Sequence, residues 1–264
     1  MSATPLPTFV IIGAQKSATR WLRINLGEHP DVFTAPSEVH FWNNGHRVKH
    51  LGLDWYREQF AAANGEQIIG EATPGYMIWR HHPPEVARRI SEGLPEARLI
   101  AILRNPIDRA NSAMLHHIRR SRIPRDSRLV NVVREHTTPP QKDRFCLVSG
   151  GWYAASLAPY VEHFGDQLLV VLHDDVLEDP ATVYRRVLAH VGAAVGYVPP
   201  DIARVRFSNR RGTPAPRYEL TPEDRVELWE YFHEDVTRLE EMLGLDLSRW
   251  RPDGADHPQH DPVA

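Results

Sequence analysis

The run Phe9-Val10-Ile11-Ile12-Gly13, with the residues that follow it, constrains this chain more than any other stretch. Four apolar residues, three of them β-branched, are too few for a helix and are stopped by Gly13, so they predict a buried parallel strand. The loop Ala14-Gln15-Lys16-Ser17-Ala18-Thr19-Arg20 comes next, and Trp21, Leu22, Ile24 and Leu26 then recur at a spacing that suits a helix of two to three turns. A strand, a tight loop and a helix N-terminus make an anion site, because the first helical N–H groups lack intrahelical acceptors and the helix dipole adds partial positive charge. Lys16, Ser17, Thr19 and Arg20 stand where a phosphate would sit. The loop departs from the nucleotide-kinase pattern G-x-x-x-x-G-K-[ST], since Lys16 follows Gly13 by three residues with no second glycine before it.

Strands and helices alternate along the rest of the chain. Val32-Phe33 is a short apolar piece, and Glu38 and His40 beyond it share a side if that segment is extended. Leu51, Leu53, Trp55, Tyr56 and Phe60 suggest a helix, and Gln67 to Ala72 a second strand turning at Thr73-Pro74. Pro83-Pro84 opens a helix through about Glu92. Ala97 to Leu103 reads as the clearest central strand and ends at Arg104-Asn105-Pro106, where a helix carrying Arg109, Ser112 and Leu115 begins. Arg119 to Phe145 is basic and weakly periodic, the mark of a surface loop or irregular helices. Trp152 to Phe164 has helical spacing after the Gly150-Gly151 turn, Leu168 to Leu172 is a buried strand, and Pro180 to Val191 is a helix closed by Gly192. A basic loop spans Arg204 to Pro214, and Thr221 caps one long amphipathic helix running to Leu243.

This alternation predicts an α/β fold with a mostly parallel sheet covered by helices on both faces. Ligands of such sheets sit beyond the carboxyl ends of the strands, so Lys16 and Arg104 should face one ligand, with the basic loop around Arg211 closing over it. No acidic residue in these loops is placed as a metal ligand, so no metal is expected, and ligand charge falls to Lys, Arg and backbone N–H groups.

With 264 residues, 42 % of them apolar, the chain can build one sizeable core, which predicts a single domain over 1–250 and a mobile tail over 251–264. Basic and acidic side chains number 31 and 34, for a net charge of −3, which gives no reason to expect a nucleic-acid or membrane partner. The one cysteine, Cys146, fits a reducing compartment, and the first residues lack a basic segment and a long apolar run, so a cytoplasmic location is expected. Oligomeric state leaves no mark in the sequence.

Three stretches carry a family resemblance. IIGAQKSATRWL, HPDVFTAPSEVHFW and LRNPIDRANSAMLHH resemble, in that order, the 5'-phosphosulfate loop, the acceptor-side motif and the 3'-phosphate motif of the sulfotransferases that use 3'-phosphoadenosine 5'-phosphosulfate, above all the heparan-sulfate-type and related bacterial enzymes. The resemblance implies a P-loop-like three-layer sandwich and an in-line transfer of a sulfonate to a hydroxyl of a small-molecule or carbohydrate acceptor, leaving adenosine 3',5'-bisphosphate. It implies that Lys16 contacts the transferring sulfonate and the bridging oxygen, and that Ser17, Ala18, Thr19, Arg20 and Trp21 cradle the 5'-phosphate. Arg104 and Ser112 match the pair on the 3'-phosphate, and Arg211, Gly212 and Thr213 the late loop over the nucleotide. Glu38 matches the general base, with His40 beside it. Where relatives read Glu-Lys-Thr-Pro, this chain reads Glu71-Ala72-Thr73-Pro74 and so lacks an acceptor-side lysine. Two rival readings are a P-loop-type kinase using ATP and a catalytically silent nucleotide-binding protein of the same fold.

Overall fold

A computed structural model describes residues 5–66, 68–136, 143–204 and 219–253. Its backbone divides into two compact units, one of residues 1–105 with 155–214 and one of 106–154 with 215–264.

The first unit is built on a five-stranded, wholly parallel sheet in the order β2-β3-β1-β4-β5. The strands are β1 (Phe9–Gly13), β2 (Val32–Thr34), β3 (Ile68–Ala72), β4 (Arg98–Leu103) and β5 (Leu168–Leu172). Each falls on one of the short apolar runs, as expected of strands covered on both faces. β1 is the middle strand, with Val10 opposite Glu71 of β3 and Leu99 of β4. Its register against β4 slips between Ile11 and Gly13, which redirects the chain as it leaves the sheet. Gly70 has to be a glycine, because a Cβ there would stand 2.3 Å from the Phe9 ring.

Helix α1 (Thr19–Leu26) returns the chain from β1 to β2, a π-helical turn leads into α2 (Gly52–Glu58), and α3 (Pro83–Gly93) precedes β4. The same unit holds most of α6 (Tyr153–Phe164), the short α7 (His173–Glu178) and α8 (Pro180–Val191). One buried cluster joins Phe9 and Ile11 of β1, Ile100 and Ile102 of β4, Trp21 and Leu22 of α1, and Tyr184, Val187 and Leu188 of α8. The opposite face carries Val10, Ile12, Leu99, Ala101 and Leu103, all fully buried.

The second unit contains α4 (Pro106–Arg119), α5 (Leu129–His136), α9 (Pro222–Trp229) and α10 (His233–Leu243). The buried Asp143 ties its 143–151 stretch together by accepting the amides of Leu147, Val148 and Ser149 and the Ser149 hydroxyl. Arg109 is fully buried and donates to the carbonyls of Cys146, at 2.9 Å, and Leu147. Two expectations are corrected in this unit. The weakly periodic 119–145 segment contains a regular helix, α5, whose Leu129, Val130, Val132 and Val133 are buried. The single long helix after Thr221 is two helices, because the Tyr231 carbonyl accepts the Trp152 indole N–H at 3.0 Å and the chain turns tightly through Tyr231 and Phe232.

Candidate active site

In the order β2-β3-β1-β4-β5, the chain reverses its direction of travel between β1 and β4, and open parallel sheets form their ligand crevice at such a switch point. The loops leaving these two strands carry Lys16 and Arg104. They meet, with Arg104 Nη1 donating to the Lys16 carbonyl at 3.3 Å.

The Lys16 loop is shaped by its backbone. The Ala14 amide donates to the Ile102 carbonyl of β4 at 2.9 Å, the Ser17 amide to the Ala14 carbonyl, and Lys16 and Ala18 hold left-handed φ values of 74° and 66°. Such angles in non-glycine residues cost on the order of 1–3 kcal/mol each and cluster at ligand-binding loops. Ala18 caps α1 with no side-chain bond, and the helix ladder begins where the Leu22 amide reaches the Ala18 carbonyl. The amides of Thr19, Arg20 and Trp21 therefore precede the first intrahelical bond and face the loop. Ser17 is fully buried, and its hydroxyl finds no acceptor or donor among the described residues. An orphaned buried hydroxyl, helical amides without intrahelical acceptors and Lys16 make a cradle that fits a phosphate or sulfate group. The Trp21 indole takes no part, since it is buried in the core and donates to the Ile202 carbonyl at 2.9 Å; only its amide is left for a ligand.

Glu38 and His40 come together as expected, but not by strand alternation. The segment is irregular and His40 is left-handed, with φ 52°; that bend brings His40 Nε2 to 2.9 Å from a Glu38 carboxylate oxygen. The Glu38 carboxylate raises the His40 pKa above the usual 6.5, while burial acts in the opposite direction. Arg23 of α1 borders the pair. Its guanidinium donates to the Ala35 carbonyl at 3.0 Å, and its pKa is lowered mainly by burial and then by Arg20, with Glu38 opposing.

Beneath the pair lies a network that the sequence pattern does not announce. Glu71 is fully buried, and three hydroxyls donate to its carboxylate: Tyr56 at 2.7 Å, Thr73 at 2.6 Å and Tyr76 at 2.8 Å. Burial pushes the Glu71 carboxyl up while the three hydroxyls pull it back, and burial beside Glu71 raises both tyrosines well above their ordinary value. Two signals in the sequence touch it, an acidic residue at the end of an apolar strand, where a charge needs a partner, and the Glu71-Ala72-Thr73-Pro74 motif, and neither points to Tyr56 or Tyr76.

A cavity of about 630 Å³ opens beside His40, lined by Asn43, Arg80, His81, His82, Glu85, Arg89 and His163 among others. Asn43 links the two, its amide lying 3.3 Å from His40 Nδ1. His81 is held below 6.5 by burial, then by the charge of His40. Asn43 and 80–82 belong to segments too irregular to read from pattern; α3 and His163 complete the wall.

Of the other expected residues, Thr19 is buried at the start of α1 and Arg20 is exposed. Ser112 is half-buried on α4 in the second unit, where Asp108 pairs with Arg225 at 2.7 Å. Arg211, Gly212 and Thr213 lie outside the described residues. Among the described residues no group of three or more His, Cys, Asp and Glu side chains could hold a metal ion, and no helix is long and apolar enough to cross a membrane.

Comparison with known proteins gives one answer. A family model described as the sulfotransferase domain matches residues 6–238. Mouse (Mus musculus) heparan sulfate glucosamine 3-O-sulfotransferase 3B1 is 34 % identical over 189 residues, covering 71 % of this chain and 46 % of its own length. Mouse heparan sulfate glucosamine 3-O-sulfotransferase 6 is 29 % identical over 263 residues, covering 91 % and 73 %. The solved sulfotransferase of Alicyclobacillus acidocaldarius aligns with a TM-score of 0.77 at 30 % identity, over 94 % of this chain and 99 % of that one. The chain spans about half the length of the first of these relatives.

Proposed function

The chain belongs to the sulfotransferase family, and from that premise we propose that it moves a sulfonate group from 3'-phosphoadenosine 5'-phosphosulfate to a hydroxyl of a carbohydrate or small-molecule acceptor. The observation that carries the reading is the meeting of the Lys16 loop with Arg104 at the switch point, around an orphaned Ser17 hydroxyl.

The Lys16 loop and the α1 amides take the 5'-phosphosulfate end and Arg104 the 3'-phosphate. Ser112, and Arg211, Gly212 and Thr213 outside the described residues, carry a nucleotide assignment from the resemblance of their sequence stretches alone. Transfer forms a bond between the acceptor oxygen and sulfur as the bond from sulfur to the phosphate oxygen breaks. Lys16 balances the charge left on that phosphate oxygen, and Glu38 takes the acceptor's hydroxyl proton, with His40 orienting the carboxylate. The cavity beside His40 is the acceptor site in this reading. Arg80, His81 and His82 supply donors suited to saccharide oxygens, and the heparan sulfate relatives support a carbohydrate. Cys146, buried and the one cysteine of the sequence, supports a reducing, cytoplasmic setting, and the family match over 6–238 supports treating 1–250 as one functional domain.

Titration of the purified chain with adenosine 3',5'-bisphosphate and with magnesium ATP tests the donor assignment. The bisphosphate binds with clear preference, and incubation with the phosphosulfate donor and a panel of glycans, alcohols and phenols gives a product heavier by one sulfonate. A preference for magnesium ATP returns the chain to the kinase reading.

A further inference from the structure

The geometry points to Glu71 as a positioning residue for sulfonate transfer: its carboxylate sets the direction of two hydroxyls, which in turn hold the backbone that carries the Glu38–His40 pair. The role of that pair rests on the sulfotransferase reading above; the rest stands on hydrogen bonds. An ionised carboxylate can only accept, so the hydroxyls of Thr73 and Tyr76 must each spend their one proton on Glu71. Their lone pairs are then turned outward. Thr73 Oγ1 accepts the Val39 amide at 3.0 Å and the His40 amide at 3.3 Å, and Tyr76 Oη accepts the Phe41 amide at 3.2 Å. Three consecutive amides are thus held from one buried charge.

The other side of the segment is held by Arg47, whose guanidinium donates to the Val39 carbonyl and lies 4.9 Å from the Trp55 ring centre. Between these holds sits His40 in its left-handed conformation, one that a residue with a side chain keeps only where its surroundings impose it. A neutral, apolar residue at 71 would fill the space, but it would leave both hydroxyls free to rotate. A glutamine would be worse for alignment. Its NH₂ group donates, so one hydroxyl has to reverse and present its proton to an amide that also donates.

The test uses the full chain with Glu71→Gln, Thr73→Val, Thr73→Ser and the Glu71→Gln/Thr73→Val double variant. Thr73→Val keeps the Glu71 charge and removes the relay; Thr73→Ser keeps the relay. Misplacement of a catalytic group by about 1 Å is worth up to about 10²-fold in rate. The first two variants are therefore expected to lower kcat by roughly 10- to 100-fold, with the affinity for adenosine 3',5'-bisphosphate unchanged. The double variant should be no worse than the poorer single one, and Thr73→Ser should stay close to wild type. The His40 ring nitrogen resonances, read by NMR, should move in Thr73→Val and not in Thr73→Ser. Losses that multiply in the double variant, or nucleotide affinity that falls in step with kcat, overturn the proposal. If Glu71→Gln does not fold, Thr73→Val against Thr73→Ser decides the matter alone. The ring resonances need no turnover, so a wild-type chain that transfers no sulfonate would sink the activity while leaving this positioning claim to be judged separately.

Discussion

Glu38 and His40 are about half exposed, at 53 % and 43 %, so their 2.9 Å contact is worth at most about 1 kcal/mol to stability. Because the folded pKa of His40 is raised, that contribution is fully present below about 6.5 and fades as pH climbs through the folded value. Replacing the carboxylate isolates its effect. Glu38→Gln removes the largest cause of the shift and leaves burial, which acts downward, so the His40 midpoint should fall; ring NMR titration of the two proteins measures it. An unmoved midpoint would mean that the pair does not form in solution. The same variant should lower kcat by about 10²–10⁴-fold, the usual worth of a general base, with nucleotide affinity retained in binding titrations. The pairing of these residues was legible in the sequence, though for the wrong reason. Alternation along a strand suggested it, whereas a left-handed turn at His40 achieves it. Of the Glu71 network only Glu71 and Thr73 stand in a recognisable motif; Tyr56 could not be read as a partner, because it lies 15 residues before Glu71 and no local pattern says that it returns.

Among the elements, α9 shows local sequence at its most decisive. Thr221 and Asp224 form a reciprocal capping box and Pro222 occupies the first turn. Thr221→Ala should destabilise the protein by about 1 kcal/mol, read as a lower urea midpoint at unchanged slope, with kcat unaffected. Where α9 ends was hidden for the opposite reason. Leu228, Phe232, Val236 and Leu239 keep a helical period straight across the break, and all four are buried. Distant groups interrupt them: the Trp152 indole on the Tyr231 carbonyl, and Asp235 accepting the Ala154 amide at 2.9 Å. The strands were easier, since four or five apolar residues between turn signals leave few other structures. Helix α5 reads from sequence only as a surface loop or irregular helices, because its flank is basic and its apolar face spans only two turns.

For the molecule as a whole, the sheet order decides which loops can share a ligand, and that order was invisible. The apolar run of β1 says that it is buried between strands, not that β3 and β4 are its neighbours. A site made this way links binding to folding. Adenosine 3',5'-bisphosphate at about 100 times its Kd should add about 2.7 kcal/mol of stability, a rise in Tm on the order of 5–10 °C in a thermal scan. Arg104→Ala should shrink that rise, and a wild-type chain whose Tm ignores saturating nucleotide would not hold the ligand at these loops. The central place of β1 also has a bearing on biosynthesis. Its partners are translated some 60 and 90 residues after it, starting at Ile68 and Arg98, so this strand emerges before either of its sheet neighbours has been made. At roughly 5–20 residues per second that wait lasts several seconds, during which Phe9-Val10-Ile11-Ile12 is an exposed, aggregation-prone β segment and an attractive client for a chaperone.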